Sequence, residues 1–435
     1  MDNLLHAFAL ALRNIKRAPL PYLLTVLILS LGLGMFFSNA TLYYWLNHDP
    51  LPHKSHTLFY PQINATAQPC DSCTEPLRVL SYQDVQKLST SGIPSAQAAM
   101  FQSAGYARLP AGSQQGPTAV RLRITQRDFF TLFDVPFLHG QRWADDTARR
   151  ELILSKACAE RFFGRTDVVG ETLQLGSELF SISGVLNDWT MLPRLYDVSN
   201  GLRAAEPADI YLPWETSYDL AIKSNTTTMS RDRRNYNDNF AVDGREGDFF
   251  QAQFWIQLDT PARVAAYRQF MQQLVQSEKA AGRHPRPEGN RLTNMQDITA
   301  HFNVRNRQLD AFALVSLLFL LVCLFNASHL SLNRYLASQF EFGLRRALGA
   351  SRGQLQQLIV ADVVVSASLA FLLSLVIASA AMSLITSLLP ATRNLTSWSP
   401  LMFAAMAAVA LIASYLVTLY PALRASFGSL NRQLK

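Results

Sequence analysis

The chain has 435 residues, of which 49% are hydrophobic and only 16% are charged, and its formal net charge is +7. This length allows two or more folding units. The positive charge does not indicate nucleic-acid binding, because many of the cations flank apolar runs instead of covering a patch on a soluble domain. The composition therefore favours a membrane protein, and we expect no nucleic-acid partner.

Residues 1–20 combine apolar and basic residues at helical spacing. The apolar residues that share one helical face are Leu4, Phe8, Ala9, Leu12 and Ile15. The cations near the end of the same segment are Arg13, Lys16 and Arg17. Pro19 and Pro21 then interrupt the helix. The pattern predicts a cytoplasmic amphipathic elbow helix that lies on the inner leaflet and contacts membrane lipid.

Four apolar runs are each near or above the roughly 20 residues that an α-helix needs to cross ~30 Å of hydrocarbon. The runs are residues 22–46, 311–332, 358–389 and 401–420. They contain no Lys, Arg or Glu, and Asp362 is their one acidic residue. We predict an α-helical membrane protein with four transmembrane helices. The predicted spans are residues 21–46, 309–333, 357–389 and 400–421.

The cations indicate how these helices are oriented. They precede the first run, lie between the second and third, and close the chain, whereas the loop at residues 390–399 carries Arg393 alone. By the positive-inside rule, the N-terminus, residues 334–356 and the tail at 422–435 are cytoplasmic. Residues 47–308 then form an extracytoplasmic domain with stalk ends, and residues 390–399 form a short outer loop. A cleaved signal peptide is the alternative for the first run, but that run exceeds the roughly 7 to 15 apolar residues of a signal peptide.

The extracytoplasmic segment carries strand and helix patterns in turn. A helix is predicted at residues 155–163, where Gly164 is placed to end it, and alternating apolar residues on both sides predict strands. A second helix is predicted from Pro261, with Thr260 as its N-cap. These patterns predict a large mixed α/β domain inserted between the first and second transmembrane helices. Residues 217–247 are polar and predict an exposed or mobile loop.

The cysteines agree with an extracytoplasmic location. Cys70 and Cys73 lie in the polar stretch QPCDSCTEP, where an oxidising compartment favours a local disulfide. Two free thiols, or a metal or redox site, are the alternatives, although few further ligands lie nearby in sequence. Cys158 and Cys323 are interpreted as small buried hydrophobic residues.

The sequence predicts no catalytic, cofactor-binding or metal-binding residue. It has no GxxxxGK[ST] loop for ATP, and its histidines are scattered and are interpreted as surface or interface residues. Asp145 and Asp146 are interpreted as a solvated turn. Asp362 is costly inside a membrane, yet it lies close to the start of its span, so we expect the interface to hydrate it.

The cytoplasmic region at residues 334–356 carries an amphipathic pattern. Phe340, Leu344, Ala347 and Leu348 are the apolar residues at helical spacing, and Arg345, Arg346 and Arg352 lie on other faces. Gly349 is placed to end one helix and Ser351 to start the next. A short basic amphipathic helix parallel to the membrane is suited to a groove on a soluble partner. The alternative is a surface helix that binds anionic lipid.

These residues resemble a known family. EFGLRRALGASRGQL is similar to the coupling-helix signature of the FtsX-like permeases, the MacB type of ABC transporter membrane subunit. ALRNIKRAPLPYLLTVLILSLGLG resembles their elbow and first span, and DFFTLFDVPFLHGQRW resembles their periplasmic core. The resemblance implies an ATPase-coupling role for a set of residues in this stretch. That set comprises Glu341, Gly343, Leu344, Arg345, Arg346, Ala347, Leu348, Gly349 and Ser351.

The resemblance further implies a permease in the bacterial inner membrane, with its large domain in the periplasm. It would pair with an identical or a second permease and with an ABC ATPase, so that ATP is bound by the partner subunit and this chain holds no cofactor. A periplasmic adaptor and an outer-membrane channel are further partners that the resemblance leaves open. The expected task is efflux or extraction of a hydrophobic compound, peptide or lipid through mechanotransmission. Lipoprotein release and non-transporting regulation or sensing in the cell envelope are the alternatives.

Overall fold

The structure is a computed structural model of the chain. The model describes residues 19–65, 76–110, 116–147, 149–199, 207–225, 229–230, 244–246, 249–284, 289–298, 307–349, 351–388 and 398–426. The chain divides into two compact units. One comprises Met1–Leu46 with Asn306–Lys435, and we call it the helical unit. The other is Asn47–Arg305, which we call the α/β unit.

The secondary structure alternates between the two units along the chain. The α-helices of the described residues are α1 (Pro19–Asn47), α2 (Tyr82–Ser89), α3 (Phe129–Leu132), α4 (Lys156–Phe163), α5 (Trp214–Asp219), α6 (Pro261–Ala280), α7 (Arg307–Ala337), α8 (Gln339–Ala347), α9 (Arg352–Leu388) and α10 (Pro400–Ser426). The strands are β1 (Leu58–Gln62), β2 (Leu80–Ser81), β3 (Ala96–Arg108), β4 (Thr118–Thr125), β5 (Phe137–Gly140), β6 (Glu151–Leu154), β7 (Thr172–Leu175), β8 (Glu178–Leu186), β9 (Ile210–Pro213), β10 (Met229–Ser230), β11 (Phe249–Gln257) and β12 (Arg291–Asn294).

Four helices of the helical unit, α1, α7, α9 and α10, are long and apolar enough to cross a membrane. This confirms the expected number of apolar helices. All four extend beyond the predicted spans, by the largest margins where α7 continues to Ala337, α9 already begins at Arg352 and α10 continues to Ser426. The elbow predicted at residues 1–20 falls almost entirely outside the described residues, as does the outer loop at residues 390–399.

The helices of this unit approach one another closely at glycines. A Cβ atom added at Gly34 of α1 would lie 2.7 Å from Cγ2 of Ile377 and 3.1 Å from the Ser374 carbonyl oxygen on α9. A Cβ atom at Gly32 would lie 2.7 Å from Cβ of Cys323 on α7. Small residues therefore set the distance of α1 from both neighbours, as is common where apolar helices pack without a hydrophobic driving force.

The α/β unit contains a twelve-stranded sheet whose main order is β12-β1-β11-β3-β4-β9-β6-β8-β5. Most pairs are antiparallel, while β4 with β9 and β6 with β8 are parallel. Strand β7 pairs with both β3 and β8. The pairings β3–β4–β9–β6–β8–β7–β3 therefore close into a ring, and a mixed α/β fold is confirmed. Its interior side chains come from alternate positions of these strands, among them Leu122, Leu154 and Phe180.

Local signals begin and end the helices of this unit as predicted. The Ser155 hydroxyl accepts a hydrogen bond from the Cys158 amide (3.2 Å) at the start of α4. Gly164, with φ of +68°, ends that helix in the left-handed conformation. Thr260 caps α6 by accepting from the Arg263 amide (3.3 Å).

The polar loop predicted at residues 217–247 is only partly what the structure shows. Residues 217–219 belong to α5, and Ser217 is buried with its hydroxyl donating to the Trp214 carbonyl (2.7 Å). The prediction failed here because local polarity does not reveal burial by the sheet. Much of the remaining stretch lies outside the described residues.

An aromatic core on the other side of the sheet encloses a buried ion cluster. Arg123 of β4 is fully buried and donates to Asp197 (2.5 Å), which also accepts from Gln253 (2.7 Å) and lies 3.4 Å from Arg194. Burial alone would raise the pKa of Asp197, but the charges of Arg123 and Arg194 lower it to about 2. The guanidinium groups of Arg123 and Arg194 both lie over the Tyr196 ring, 5.2 and 5.3 Å from its centroid.

Candidate functional site

The predicted coupling segment contains a short helix that ends just before Gly349, as the sequence indicated. This helix, α8, is Gln339–Ala347, so the stretch from Glu341 to Ser351 comprises a helix, a turn and the start of the next helix. The Gly349 amide donates to the Arg346 carbonyl (3.1 Å), and Gly349 has φ of +96°. A left-handed residue of this kind turns the chain out of the helix. Leu348 and Gly349 therefore form the turn, and Ser351 belongs to the start of α9.

Ser351 acts as the cap of α9. Its hydroxyl accepts from the Gln354 amide (3.3 Å), and the Gln354 side chain accepts from the Ser351 amide (3.0 Å). This reciprocal pair is a capping box.

The sequence of residues 349–353 is GASRG, which matches the GxSxG pattern of serine hydrolases. That motif requires a turn from a strand into a helix, whereas Ser351 follows a helix, so the match is not a nucleophile elbow.

Three apolar side chains on this segment are exposed. Phe340 is 62% exposed, Leu344 44% and Leu348 80%. We call these three residues the apolar stripe. Positions four apart lie on one face of a helix, and Leu348 extends that face into the turn. Ala347 is exposed beside them, while Gly343 is buried. The described residues leave the stripe uncovered, although it is as apolar as a packed helix face.

The charged residues of α8 interact with each other. Arg345 donates to Glu341 (2.5 Å) one turn earlier on the same helix. Arg346 is half-buried. Arg345 is therefore paired within its own helix. An exposed pair of this type contributes little to stability, so it can open to meet a partner at small cost.

A polar cluster joins three apolar helices next to α8. Arg334, near the end of α7, donates to Asp362 of α9 (2.7 Å). Tyr335 donates its hydroxyl to the same carboxylate oxygen (2.6 Å). The Arg334 guanidinium lies 4.8 Å from the ring centroid of Tyr22 on α1 and 5.0 Å from that of Tyr335. We call Tyr22, Arg334, Tyr335 and Asp362 the basal cluster.

The basal cluster corrects the expectation that water hydrates Asp362. Asp362 is only 7% exposed, and its partner Arg334 is largely buried as well. The expectation was wrong because α9 begins at Arg352, so Asp362 lies almost three turns inside a helix that is packed on its neighbours. The sequence did contain Arg334, but its position next to an apolar run made it look like an ordinary flanking cation.

Apolar contacts surround the same point. Tyr335 packs in a buried cluster with Leu355, Leu358, Ile359 and Val363 of α9. The end of α7 and the start of α9 are therefore joined by apolar packing and by an ion pair together. Since these two helices carry α8 between them, the segment with the apolar stripe is attached to the bundle at both of its ends.

Asp145 and Asp146 both accept hydrogen bonds within the α/β unit. Asp145 binds Arg149 (2.7 Å), and its hydrogen bonds to Arg149 and Thr147 hold its pKa below the usual range. Asp146 accepts from the Arg127 amide (2.5 Å), and burial raises its pKa. Asp145 therefore stabilises its own turn, in agreement with its interpretation. Asp146 differs from the expected solvated residue, because it is half-buried and binds the backbone of Arg127, 19 residues away.

Three buried residues that could ligate a metal ion form an ion-pair network and not a metal site. Asp84, Glu278 and His284 place their ligand atoms within 4.8 Å of one another. Glu278 binds Lys87 (2.6 Å) and Arg283 (2.6 Å), and Asp84 binds His284 (2.9 Å). Two cations already neutralise the carboxylates, so a metal ion would meet strong repulsion. His284 was expected at a surface or an interface, whereas it is buried and paired with Asp84 of α2.

The cysteines divide into two groups. Cys158 and Cys323 are free and buried, as predicted, and burial raises the pKa of the Cys158 thiol to about 12. Such a thiol is unreactive at neutral pH. Cys70 and Cys73 lie outside the described residues, so their proposed disulfide stays a prediction.

The structure combines four apolar helices, an uncovered amphipathic helix between α7 and α9, and an α/β unit. This combination defines a permease-type membrane subunit. The chain belongs to the family of MacB-like and FtsX-like ABC transporter permeases. The family model of the MacB-like periplasmic core domain matches residues 22–274, and the model of the FtsX-like permease C-terminal region matches residues 311–430. The resemblance noted from the sequence is thereby confirmed.

Two solved structures are similar to part of this chain. The periplasmic region of MacB from Actinobacillus actinomycetemcomitans is 12% identical, with a TM-score of 0.37, and the match covers 58% of this chain and 95% of that one. The extracellular domain of the noncanonic ABC-type transporter YknZ from Gram-positive bacteria is 13% identical, with a TM-score of 0.34, and the match covers 54% of this chain and 100% of that one. No match was found among curated proteins.

Proposed function

We propose that α8 is the coupling helix of this permease and that its apolar stripe docks into a groove on an ABC ATPase. The observation that carries the proposal is the exposure of Phe340, Leu344 and Leu348 on a helix that is attached at both ends. An uncovered apolar face of this kind is typical of a protein interface. A helix with anchors at i, i+4 and i+8 is a common mode of groove recognition.

In this proposal the ATPase would be a partner subunit. The nine residues named from the resemblance would act in different ways at this interface. The apolar stripe would fill the groove, Arg345 and Arg346 would meet polar groups at its edge, and Gly349 and Ser351 would fix the turn behind it. Glu341 would hold Arg345 until a partner is present, because the two are paired in the helix.

The proposed setting is the bacterial inner membrane, with α8 and both chain ends in the cytoplasm and the α/β unit in the periplasm. The cation distribution supports this orientation. The bundle surface supports a lipid environment, since side chains such as Phe325 of α7, which is 83% exposed, are apolar. The α/β unit follows α1 and precedes α7 in the chain, so it would be inserted between the first two transmembrane helices.

In this setting the permease would pair with a second permease, identical or not, and relay ATP-driven motion of α8 to the α/β unit. The motion would serve efflux or extraction of a hydrophobic compound, peptide or lipid. An adaptor and an outer-membrane channel would complete an export route. Release of lipoproteins would use the same relay with a different substrate.

Copurification of the ATPase tests the docking role. Leu348→Asp would place an unpaired charge in the groove, which costs several kcal/mol, so the ATPase should no longer copurify with the permease. Leu348→Ala should weaken binding by about 2 kcal/mol, or roughly 30-fold. Leu179→Asp is the matched control, because Leu179 is 54% exposed in the α/β unit and makes no contact with the ATPase in this proposal.

The result that would refute the coupling role is full ATPase binding and turnover by the Leu348→Asp protein. Binding of that variant to anionic vesicles should then be measured against wild type. A loss confined to vesicle binding would assign α8 to the membrane surface, which is the alternative reading of its basic amphipathic pattern.

A further inference from the structure

The basal cluster lies where the coupling segment meets the rest of the helical unit. The pair of Arg334 and Asp362 joins two residues that are 28 positions apart, and the chain between them contains the whole of α8. The ion pair therefore closes a loop around the coupling segment. A displacement of α8 must either move both ends of this loop together or break the pair.

The third helix of the cluster extends the connection. Tyr22 belongs to α1, which continues to Asn47, where the α/β unit begins. Arg334 and Tyr335 belong to α7, which begins at Arg307, just after the α/β unit. The two helices that enter and leave the α/β unit are thus held to α9 at one point. The Arg334 guanidinium is the group common to all three, because it binds Asp362 and contacts both tyrosine rings.

Stability of the bundle does not require such a cluster. Apolar residues such as Leu358 and Val363 already pack at this level, and replacing a buried ion pair by apolar side chains is often neutral or stabilising. Ionisable groups within apolar helices are costly and by default indicate a function. Hydrogen bonds from Arg334 and Tyr335 to a single oxygen fix direction as well as distance, which apolar packing alone does not.

We infer that the basal cluster is the joint that transmits displacement of α8 to α1, α7 and α9, so that its residues position the coupling helix without contacting the ATPase themselves. This inference rests on the proposed coupling function. The joint carries motion only while its polar contacts are intact. Loss of one contact should leave the apolar stripe able to bind the ATPase, while the bound ATPase no longer moves the helices that hold the α/β unit.

The test uses the full-length permease in complex with the ATPase that copurifies with it, reconstituted in nanodiscs. Amide hydrogen exchange of α1 and α7 is compared with and without ATP and vanadate. We expect an ATP-dependent change in wild type, and in Asp362→Asn and Arg334→Gln a change roughly tenfold smaller, which is the scale of a typical coupling between sites. ATPase binding and basal ATP hydrolysis should stay at wild-type level in both variants.

Two further variants separate transmission from packing. Val363→Ala removes apolar contact next to Asp362 and leaves the polar contacts in place, so it should lower thermal stability yet retain the ATP-dependent exchange change. The double variant Arg334→Gln/Asp362→Asn should be no more impaired than either single variant, because the two residues act through one contact.

The outcomes distinguish this inference from the function on which it rests. Wild-type exchange responses in Asp362→Asn and Arg334→Gln, with the ATPase bound, would overturn the joint and leave the coupling helix in place. An equal loss of response in Val363→Ala would also overturn it, since packing alone would then explain the effect. Failure of the wild-type permease to bind an ATPase would overturn the proposed function and the joint with it.

Discussion

Replacing Asp197 by Asn in the α/β unit should cause a large loss of stability. Asp197 is the carboxylate that faces both Arg123 and Arg194 in the aromatic core. Both arginines are at least 96% buried, since Arg123 is 0% and Arg194 4% exposed. Asparagine keeps the size and an acceptor oxygen, but it removes the negative charge. The two guanidinium groups would then lose the negative charge that both of them face.

The structure allows two separate estimates of the effect. Removing one partner of a buried ion pair costs about 3–5 kcal/mol, against roughly 5–15 kcal/mol for the stability of a whole domain. The pKa of Asp197 in the folded state is about 2, against an ordinary value of 3.8. At ~1.4 kcal/mol per pH unit, this difference corresponds to roughly 2.5 kcal/mol of stabilisation of the charged form. Both values are of the same order.

The depressed pKa also gives the direction of the pH dependence. A carboxyl group with a lower pKa in the folded state stabilises the fold above its unfolded pKa, and this contribution is lost as the pH falls through the folded pKa. For Asp197 the loss should occur between about pH 4 and pH 2. The Asp197→Asn protein should lack this particular loss, because it has no proton to bind there.

Denaturant unfolding of the full chain, followed by tryptophan fluorescence, measures both effects. Trp255 is a suitable probe, since its indole donates to the Tyr196 carbonyl (3.0 Å) beside the cluster. The matched control is Asp145→Asn, which breaks an exposed pair with Arg149 and should leave the midpoint unchanged. Adding Arg123→Met to Asp197→Asn should recover part of the loss. An unchanged midpoint in Asp197→Asn would refute the reasoning.

Three further predictions concern the helices, the topology and the cysteines. Gly34→Ala in α1 should destabilise the bundle in thermal unfolding by about 1–3 kcal/mol through overpacking against α9. Gly353→Ala, at an open position of α9, should be neutral or stabilising. Equal effects of the two variants would contradict the close approach of α1 to α9. A reporter fused after Asn187 should be active only outside the cytoplasm and one fused to the C-terminal tail only inside, and the reverse pattern would overturn the orientation. Alkylation without reductant, read by mass, should leave Cys70 and Cys73 unmodified, so rapid labelling of both would exclude the disulfide.

Much of the architecture could be predicted from the sequence because it depends on local spacing. The four apolar helices follow from run length, since transfer of a helix into hydrocarbon depends on its own side chains. The caps at Ser155, Gly164, Thr260 and Gly349 follow from residues that satisfy backbone groups within one turn. The amphipathic face of α8 follows from apolar residues four positions apart.

The candidate site was predictable only in part. Its exposed stripe was visible as a pattern, and the end of α8 at Gly349 and the start of α9 at Ser351 followed from local residues. The basal cluster was missed entirely. Nothing local distinguishes Arg334 from the other cations that flank apolar runs, and nothing local places a tyrosine of α1 against it.

The sequence by itself determined the number of apolar helices, the α/β character of the second unit and the amphipathic coupling segment, because each is a property of neighbouring residues. Only the tertiary structure decided which distant groups meet. It brought Asp362 to Arg334, Asp197 to Arg123, and strand β7 to β3. The physical reason is that a buried charge or an unpaired strand edge is stable only with a partner, and that partner is supplied by a segment tens of residues away.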